Sequence, residues 1–416
     1  MLRAMTAMMV LLASIVTITG ADWPQWRGVE RNGISKETGL LQEWPKEGPA
    51  LRWKAVNLGT GYSSPTIVEG KIYLQTTTGE KESVICLDEK TGSQLWSTTF
   101  GTVGKNMGPQ YPGSRATPTI DGANLYCLAS NGELACLDRL TGSQKWQKHL
   151  RTDFDGKPGM WVYSESVLID GDNLVCTPGG ATATMVALNK LTGDVVWKCA
   201  VPDGDNAEYA SIMIVQNGAQ KQYVQFLRKG VIGVDARIGK FLWRYSKTVD
   251  QGANILTPVI SGNKVFTSGS RTGGAVIEVL PDGDGSKVNE VYFNKSITPS
   301  IGGAVLVDNH LYCTTSQALM CVEFATGKVK WTERSVGAAS ICFADGRLYV
   351  RGFNPGEIAL VVPSTERYQE KGRFKQPERS KIQAWPHPVV ANGGLYLRDQ
   401  DVLLCYDVAQ TKTAKK

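Results

Sequence analysis

The sequence predicts an all-β fold: an eight-bladed β-propeller of four-stranded antiparallel blades, closed by the N-terminal strand, which completes the last blade. Three observations support this prediction. A motif that ends in tryptophan occurs five times, eight turn signals divide the chain, and a strand missing from the last unit occurs near the N terminus. With 42 % hydrophobic and 20 % charged residues among 416, the composition is globular and excludes disordered, collagen-like and coiled-coil chains.

The tryptophan-ended motif defines the repeat. Each copy has a small residue, then Asp, Asn or Glu, then Gly, and finally Trp at constant spacing. The copies occupy residues 86–96, 136–146, 187–197, 233–243 and 321–331. The interval from Trp243 to Trp331 is about twice the others, which predicts one degenerate copy between them. The acidic side chain is expected to accept hydrogen bonds from turn N–H groups, and Gly tolerates a positive φ.

Short turn signals give the same count of units. They lie at residues 69–70, 121–122, 170–171, 217–218, 261–262, 308–309, 345–346 and 392–393, each between two strand-like runs. The second unit is the clearest, with strands A to D at 116–120, 124–128, 133–137 and 144–150. A single four-stranded sheet cannot bury both of its faces, so the units are expected to pack radially as blades.

The last unit lacks its fourth strand. Residues 403–407 form a strand C with no tryptophan after it, whereas residues 51–55 contain Trp53 in the matching pattern. Pairing between these two segments would leave no open sheet edge.

The first residues predict a targeting segment. Arg3 precedes an apolar run that is shorter than the roughly 20 residues of a spanning helix, and Thr19-Gly20-Ala21 supplies small residues for cleavage. A signal peptide is therefore favoured over the alternative of a membrane anchor. The expected divisions are a signal peptide (1–21), an N-terminal lead-in segment (22–50), the propeller (51–408) and a polar basic C-terminal tail (409–416). The mature chain is expected to be a monomer without a transmembrane segment, exported to the periplasm or cell envelope.

These repeats resemble the pyrroloquinoline-quinone (PQQ)-like propeller repeat family. The resemblance covers residues 51–408, and the opening Asp22-Trp23-Pro24-Gln25-Trp26-Arg27-Gly28 resembles exported bacterial members. The family includes quinone-dependent alcohol dehydrogenases and a non-enzymatic scaffold that assists outer-membrane assembly, so membership alone does not fix the function. The resemblance implies a non-catalytic binding or protein-assembly platform, with a PQQ-dependent alcohol dehydrogenase-like oxidoreductase as the alternative.

The same resemblance bears on cofactors. The family's dehydrogenases hold the quinone under two adjacent disulfide-bonded cysteines and hold calcium with Glu, Asn and Asp side chains. No two cysteines are adjacent here, so no cofactor, metal site or catalytic set is expected, and PQQ with calcium is the alternative. Glu165, Asn254 and Asp399 could supply calcium oxygens in that case. The acidic segments 203–205 and 282–286 are interpreted as turns rather than metal loops.

Nine cysteines in an exported protein would ordinarily suggest disulfides. Four of them occupy the small position of the motif, which favours buried thiols; these are Cys86, Cys136, Cys321 and Cys405. Two disulfides remain as alternatives, Cys127–Cys136 and Cys313–Cys321, if the connecting turns place the members of each pair directly opposite one another.

A binding site is predicted on one face of the ring, here named the funnel face. It carries the connections from strand D to the next strand A and from strand B to strand C. Its candidate ligand-binding residues are Tyr62, Arg115, Tyr163, Glu165, Tyr209, Asn254, Arg271, Arg351, His387, Arg398 and Asp399. Their basic members suit a carboxylate, sulfate or phosphate group. The alternative is that they are solvated loop residues and inter-blade ion pairs. The expected partner is a protein of the cell envelope or a small anionic ligand, and the interspersed charges argue against nucleic acid.

Overall fold

Eight four-stranded antiparallel sheets form the ring that the repeats predict. The computed structural model describes residues 21–410, except 106–110, 112, 219, 284, 300 and 355. The predicted signal peptide and C-terminal tail therefore lie almost entirely outside the described residues. Among the residues that are described, no helix is long and apolar enough to cross a bilayer.

The strands follow one another blade by blade, starting with β1 (Leu51–Ala55), which belongs to the last blade. Blade 1 contains β2 (Thr66–Val68), β3 (Lys71–Thr78), β4 (Lys81–Asp88) and β5 (Gln94–Thr102). Blade 2 contains β6 (Thr119–Asp121), β7 (Asn124–Leu128), β8 (Glu133–Asp138) and β9 (Gln144–His149), followed by the short helix α1 (Leu150–Phe154). Blade 3 contains β10 (Leu168–Asp170), β11 (Asn173–Cys176), β12 (Met185–Asn189) and β13 (Val195–Cys199). Blade 4 contains β14 (Met213–Asn217), β15 (Gln220–Leu227), β16 (Gly230–Asp235) and β17 (Phe241–Tyr245).

The second half of the ring repeats the same order. Blade 5 contains β18 (Val259–Ser261), β19 (Lys264–Gly269), β20 (Gly273–Asp282) and β21 (Gly285–Asn294). Blade 6 contains β22 (Ala304–Val307), β23 (His310–Thr314), β24 (Leu319–Glu323) and β25 (Val329–Glu333). Blade 7 contains β26 (Ala339–Ala344), β27 (Arg347–Gly352), β28 (Glu357–Val361) and β29 (Glu370–Lys375). Blade 8 contains β30 (Val389–Ala391), β31 (Gly394–Asp399) and β32 (Val402–Asp407), with β1 as its outer strand.

Ring closure occurs as predicted. Strand β1 pairs antiparallel with β32, and Trp53 lies opposite Cys405. The indole N–H of Trp53 donates to the carbonyl oxygen of Glu89 in blade 1 at 2.9 Å. The two ends of the propeller are thus joined by backbone pairing within blade 8 and by a side-chain contact to blade 1.

The repeated motif makes a turn that receives the aromatic ring of the preceding blade. In blade 2 the Asp138 carboxylate accepts the N–H groups of Leu140 and Thr141, each at 3.0 Å. Gly142 has φ +74°, and a Cβ added there would lie only 2.8 Å from Cε3 of Trp96 in blade 1. The glycine is needed for the backbone conformation and also for the approach of the indole.

Blade 5 is the predicted degenerate copy. Tyr292 takes the place of the tryptophan, because its ring covers Gly327 of blade 6 within 2.4 Å of an added Cβ. In blade 4, Trp243 instead lies over Gly233 of its own sheet and donates to Gln222 Oε1 at 2.8 Å. The turn of blade 5 is an extended β20–β21 hairpin in which Asp282 pairs with Gly285. Segment 282–286 is therefore a turn as predicted, apart from Asp284, which lies outside the described residues.

The cysteine pairs considered as disulfides do not face each other. Cys127 lies opposite Ala135 and Cys313 opposite Met320, one residue away from the register that a disulfide would need. A slip of one residue turns the side chains to opposite faces of the sheet. All nine cysteines are free and buried. The disulfide alternatives are therefore wrong, and the interpretation as buried thiols holds.

Candidate binding site

An axial pocket opens on the funnel face. Its cavity volume is about 320 Å³, and it is lined by Trp26, Tyr62, Ser64, Tyr111, Arg115, Trp161, Ser164, Tyr209, Ala253, Ile255, Ile301, Trp385, Pro386 and His387. Except for Trp26, these residues come from the connections that precede strand A in blades 1 to 6 and 8. Because connections from seven of the eight blades meet there, the pocket lies on the axis of the ring.

Aromatic rings form most of the pocket wall. The ring centroid of Trp385 lies 4.7 Å from that of Tyr62 and 4.7 Å from that of Tyr111. Across the pocket, Trp161 and Tyr209 meet edge to face at 5.6 Å, and the backbone N–H of Trp161 donates to the Tyr209 hydroxyl at 3.1 Å. Rings held against one another in this way present flat apolar faces to a ligand.

The N-terminal segment, residues 21–50, supplies the floor of the pocket. Trp23 exchanges two backbone hydrogen bonds with Ile67 on the channel-facing strand of blade 1. Farther along the segment, Ser35 donates its backbone N–H to Phe343 in blade 7 and its hydroxyl to Val390 in blade 8. Between these anchors Trp26 faces the pocket and meets the His387 ring edge to face at 5.9 Å.

Two buried arginines of the N-terminal segment flank Trp26. The guanidinium carbons of Arg27 and Arg31 lie 5.5 and 5.9 Å from the Trp26 ring centroid. Arg27 donates to the carbonyl oxygen of Ala304 in blade 6. Arg31 donates to the carbonyl oxygens of Ser166, Val167 and Ile212 in blades 3 and 4, at 2.6 to 3.1 Å. Burial lowers the pKa of Arg27 and Arg31 to about 10, so both remain cations at neutral pH.

Arg115 supplies the positive charge in the pocket wall. Its guanidinium donates to the Tyr111 carbonyl oxygen at 2.8 Å, and burial lowers its pKa. Within the described part of the chain, no carboxylate forms an ion pair with Arg115, Arg27 or Arg31. Arg115 is therefore a cation in the pocket wall, and Arg27 and Arg31 are cations beside Trp26, all three with carbonyl oxygens as hydrogen-bond acceptors.

Four of the eleven predicted residues line the pocket: Tyr62, Arg115, Tyr209 and His387. Burial raises the pKa of Tyr62 and of Tyr209 to about 12. Burial, followed by the charge of Arg27, lowers the pKa of His387 to about 3. At neutral pH these two tyrosines and the histidine are uncharged.

Two predicted basic residues, Arg351 and Arg398, are internal supports of blades 7 and 8. Arg351 donates to Gln376 Oε1 at 2.9 Å, and Arg398 donates to the carbonyl oxygens of Ser63 and Gln75 at 3.1 and 2.7 Å. Both side chains are completely buried, and burial lowers the pKa of each to about 9. The predicted excess of arginine at the funnel face is thus reduced to Arg115 in the wall of the pocket.

The other predicted residues also lie outside the pocket. Tyr163 donates its hydroxyl to the Pro178 carbonyl oxygen at 2.9 Å, and the Asn254 amide donates to the Leu227 carbonyl oxygen at 3.0 Å. Arg271 is exposed and forms an ion pair with Asp250 at 2.6 Å. Arg271 fits the stated alternative of solvated loop residues and ion pairs, whereas Tyr163 and Asn254 are buried hydrogen-bonding residues that neither interpretation predicted.

The carboxylates considered as calcium ligands are engaged elsewhere. Glu165 accepts the Thr177 N–H at 2.8 Å, and Asp399 accepts the Ser380 hydroxyl at 2.6 Å. In the described ranges, no three His, Cys, Asp or Glu side chains converge in a way that could hold a metal ion. The aromatic walls could accept a planar ring, but the donor set for calcium beside it does not fit.

Trp385 lies two residues before the predicted His387, in the same connection, but three other aromatic residues that shape the pocket were missed, Trp26, Tyr111 and Trp161. Two of them lie in connections whose lengths differ from blade to blade, and Trp26 precedes the first strand. The clustered tryptophans of the Asp22–Gly28 opening were a signal for Trp26, but nothing in the repeat indicated that this segment enters the channel.

Comparison with known proteins gives the family. A family model described as outer membrane protein assembly factor BamB, built on PQQ repeats, matches residues 34–156 and 80–333. The assembly factor BamB of Yersinia pestis is 23 % identical over 292 residues, covering 64 % of this chain and 67 % of that protein. The quinoprotein alcohol dehydrogenase PedH of Pseudomonas putida is 31 % identical over 156 residues, covering 36 % of this chain and 24 % of that protein.

Several relatives are matched over only part of their length. The match covers 24 % of PedH and 51 % of the BamB of Shewanella oneidensis, which is 22 % identical over 52 % of this chain. Whole-protein activities therefore do not transfer directly.

Solved structures agree on the fold. BamB of Moraxella catarrhalis aligns with a TM-score of 0.60 at 13 % identity, covering 88 % of this chain and 100 % of that one. The quinohemoprotein alcohol dehydrogenase ADHIIG of Pseudomonas putida aligns with a TM-score of 0.64 at 12 % identity, covering 95 % and 81 %. At these identities the likeness concerns architecture alone.

Proposed function

This chain belongs to the PQQ-repeat propeller family described as outer membrane protein assembly factor BamB, and we propose that it is a non-catalytic binding platform. In this proposal the mature protein is exported to the periplasm or cell envelope. There it captures a protein partner or a small anionic ligand through the axial pocket of the funnel face.

The observation that carries the proposal is the chemical character of the axial pocket. Six of its fourteen lining residues are tryptophan or tyrosine and one is arginine, and these residue types bind planar and anionic groups. General acid–base catalysis needs a group whose pKa lies near the working pH. Tyr62 and Tyr209, with pKa values of about 12, and His387, with a pKa of about 3, do not meet that requirement.

The names of the relatives favour the same proposal in part. BamB proteins of two organisms are named as assembly factors, and their matches extend over 52 % and 64 % of this chain. A platform needs a rigid frame with a shaped opening. The ring closed by β1 and the pocket on its axis supply both features.

A quinone-dependent dehydrogenase is the second candidate, favoured by the identity with PedH and by aromatic walls that suit a planar ring. Against it stand the absence of adjacent cysteines and the engagement of Glu165, Asn254 and Asp399 in internal hydrogen bonds. We therefore propose that the protein works without PQQ and calcium.

The test compares the wild type with a double variant of the pocket, Arg115→Ala with Trp385→Ala. Arg334→Ala is the matched control, because Arg334 is an exposed arginine in a connection on the same face, outside the pocket. Each protein is cross-linked in a cell-envelope fraction, and captured proteins and small molecules are identified by mass spectrometry. A ligand held by the wild type and the control but lost from the double variant supports the proposal.

The rival is tested in the same preparations. PQQ and calcium are added, and the quinone absorbance and dye-linked alcohol oxidation are recorded. Stoichiometric PQQ binding together with alcohol oxidation would contradict the proposal of a binding platform and support the dehydrogenase. If the wild type, the double variant and the control capture the same ligands equally, the axial pocket is not the binding site.

A further inference from the structure

The N-terminal segment divides the channel of the propeller into two cavities. Above it lies the axial pocket, whose floor is Trp26. Below it lies a second cavity of about 310 Å³, between segment residues that include Gln25, Arg27 and Arg31 and the first strands of blades 3 to 5. The two cavities thus lie on either side of a segment that is outside the propeller repeats.

The closing segment is held by many blades at once. Its backbone and side chains hydrogen-bond to the first strands of blades 1, 2, 6, 7 and 8 and to the entry of the first strands of blades 3 and 4. The position of Trp26 is therefore set by the whole ring, and any ligand that rests on Trp26 also rests on this segment.

The electrostatic character of the pocket is one-sided. Arg115 lies in the wall of the pocket, and the guanidinium carbons of Arg27 and Arg31 lie 5.5 and 5.9 Å from the centroid of the Trp26 ring. Carbonyl oxygens satisfy some of the guanidinium N–H groups but carry no full negative charge. The buried Glu82 is the carboxyl group whose charge acts on Arg115, and it forms no ion pair with Arg115. A cation partly shielded from solvent attracts an anion more strongly than it would in water.

The steric character of the pocket is equally specific. The rings of Trp385 and Tyr62 are inclined to each other by 31°, and those of Trp161 and Tyr209 by 61°. With Trp26, these four rings line the pocket. A cavity of about 320 Å³ is at the small end of ligand pockets and suits one or two fused rings rather than a folded polypeptide surface.

We infer that the N-terminal segment and the funnel-face loops together form a binding site for a small carboxylate that carries a flat ring. The ring stacks on Trp26, and the carboxylate is paired by Arg115. This inference rests on the proposed function as a binding platform and specifies its ligand.

The assignment makes Trp26 a specificity-determining residue supplied from outside the repeats. It also couples two events. Docking of the segment and binding of the ligand are thermodynamically coupled. If the docked segment increases the affinity for the ligand, the bound ligand stabilises the docked segment by the same free energy.

The first experiment uses three probes and isothermal titration calorimetry. The probes are indole-3-acetate, indole, which has the ring without the charge, and acetate, which has the charge without the ring. The expected result is that indole-3-acetate binds at least tenfold more tightly than either fragment. Binding of indole as tight as that of indole-3-acetate would overturn the inference, and so would the absence of binding by all three probes.

Variants locate the site. Arg115→Met and Trp26→Ala should each weaken indole-3-acetate binding by at least tenfold, whereas Arg334→Met should leave it unchanged. Thermal melting verifies that each variant is folded. Unchanged affinity in folded Arg115→Met would overturn the carboxylate pairing.

A second measurement needs no variant. Hydrogen–deuterium exchange of the wild-type protein, with and without indole-3-acetate, should show slower exchange of amides in residues 23–35 when the ligand is present. Unchanged exchange in that segment, with binding intact, would overturn the role of the N-terminal floor. If an envelope partner is captured through the pocket while ring carboxylates fail to bind, the platform stands and this inference falls.

Discussion

Trp96 of blade 1 lies directly over Gly142 in the turn of blade 2. A Cβ at position 142 would be 2.8 Å from the indole Cε3, and the backbone φ there is +74°. Substitution therefore combines a steric clash with an unfavourable backbone conformation, whereas at Gly122 only the backbone conformation is unfavourable. The same glycine of the motif therefore permits both the turn conformation and the contact between the two blades.

Gly142→Ala should lower the free energy of unfolding by about 2 kcal/mol or more, because the left-handed backbone and the indole both disfavour a methyl group. The matched control is Gly122→Ala, where φ is +55° but no atom lies within 4 Å of the added Cβ. Urea unfolding of both variants separates the backbone effect from the contacts that the added methyl group makes with blade 1, which are Thr98 Oγ1 at 2.5 Å and the Trp96 indole at 2.8 Å. Equal losses in the two variants would show that these contacts contribute nothing.

Glu165 should make stability fall as the pH rises. Burial raises its pKa from 4.5 to about 8, and the hydrogen bonds from Thr177 only partly oppose this. Because the folded pKa is the higher one, the stabilising contribution is complete below pH 4.5 and is lost as the pH rises to about 8. The slope attributable to this single proton is at most about 1.4 kcal/mol per pH unit.

Glu165→Gln should therefore flatten the stability profile between pH 5 and 8, measured by urea unfolding at each pH. Glu366→Gln serves as the control, because Glu366 is exposed. In this variant the free energy of unfolding should depend on pH as it does in the wild type. A wild-type slope retained in Glu165→Gln would mean that the carboxyl group stays ionised in the folded protein.

All nine thiols should be present and protected. Burial raises the pKa of Cys127 and Cys313, so that native protein should react slowly with a thiol reagent at neutral pH. After unfolding without reductant, nine thiols per chain should react. Seven thiols would indicate one disulfide and contradict the register of the paired strands.

Arg31 should be a major anchor of the N-terminal segment. Arg31→Met keeps much of the side-chain length but removes the donors for three buried carbonyl oxygens, those of Ser166, Val167 and Ile212. We expect a loss of about 2 kcal/mol or more in the free energy of unfolding, together with faster limited proteolysis before residue 36.

Lys36→Met is the control for that variant. Lys36 forms an exposed ion pair with Glu30 at 2.9 Å in the same segment, and such pairs contribute about 0 to 1 kcal/mol. If both variants melt alike and are cleaved alike, the buried guanidinium is not what holds the segment in the channel.

The architecture followed from the repeat alone, down to single features. The doubled interval between Trp243 and Trp331 predicted a blade without tryptophan, and Tyr292 fills that place. The orphan segment around Trp53 predicted closure by β1. Such features are local in the sequence and occur in several copies of the repeat, so a prediction from one copy can be compared with the others.

The candidate site was predicted less well, for a physical reason that concerns individual residues. Loop position placed Arg115 and Arg351 at the same face, yet Arg115 lines the pocket and Arg351 is an internal donor to Gln376. Whether an arginine lines the pocket or donates internal hydrogen bonds depends on the carbonyl and amide groups that the fold brings close to it. The cysteines illustrate the same limit, since one residue of turn length decided whether Cys127 faced Cys136.

The sequence by itself determined the number of blades, the form of their turns and the closure of the ring, because these depend on periodic spacing and on backbone conformation within each repeat. Only the tertiary structure decided that the Trp26 segment enters the channel and that the pocket combines rings from seven connections with Arg115. Those groups are far apart along the chain and belong to no repeat. Their meeting is set by ring closure and by hydrogen bonds between blades, which no local pattern encodes.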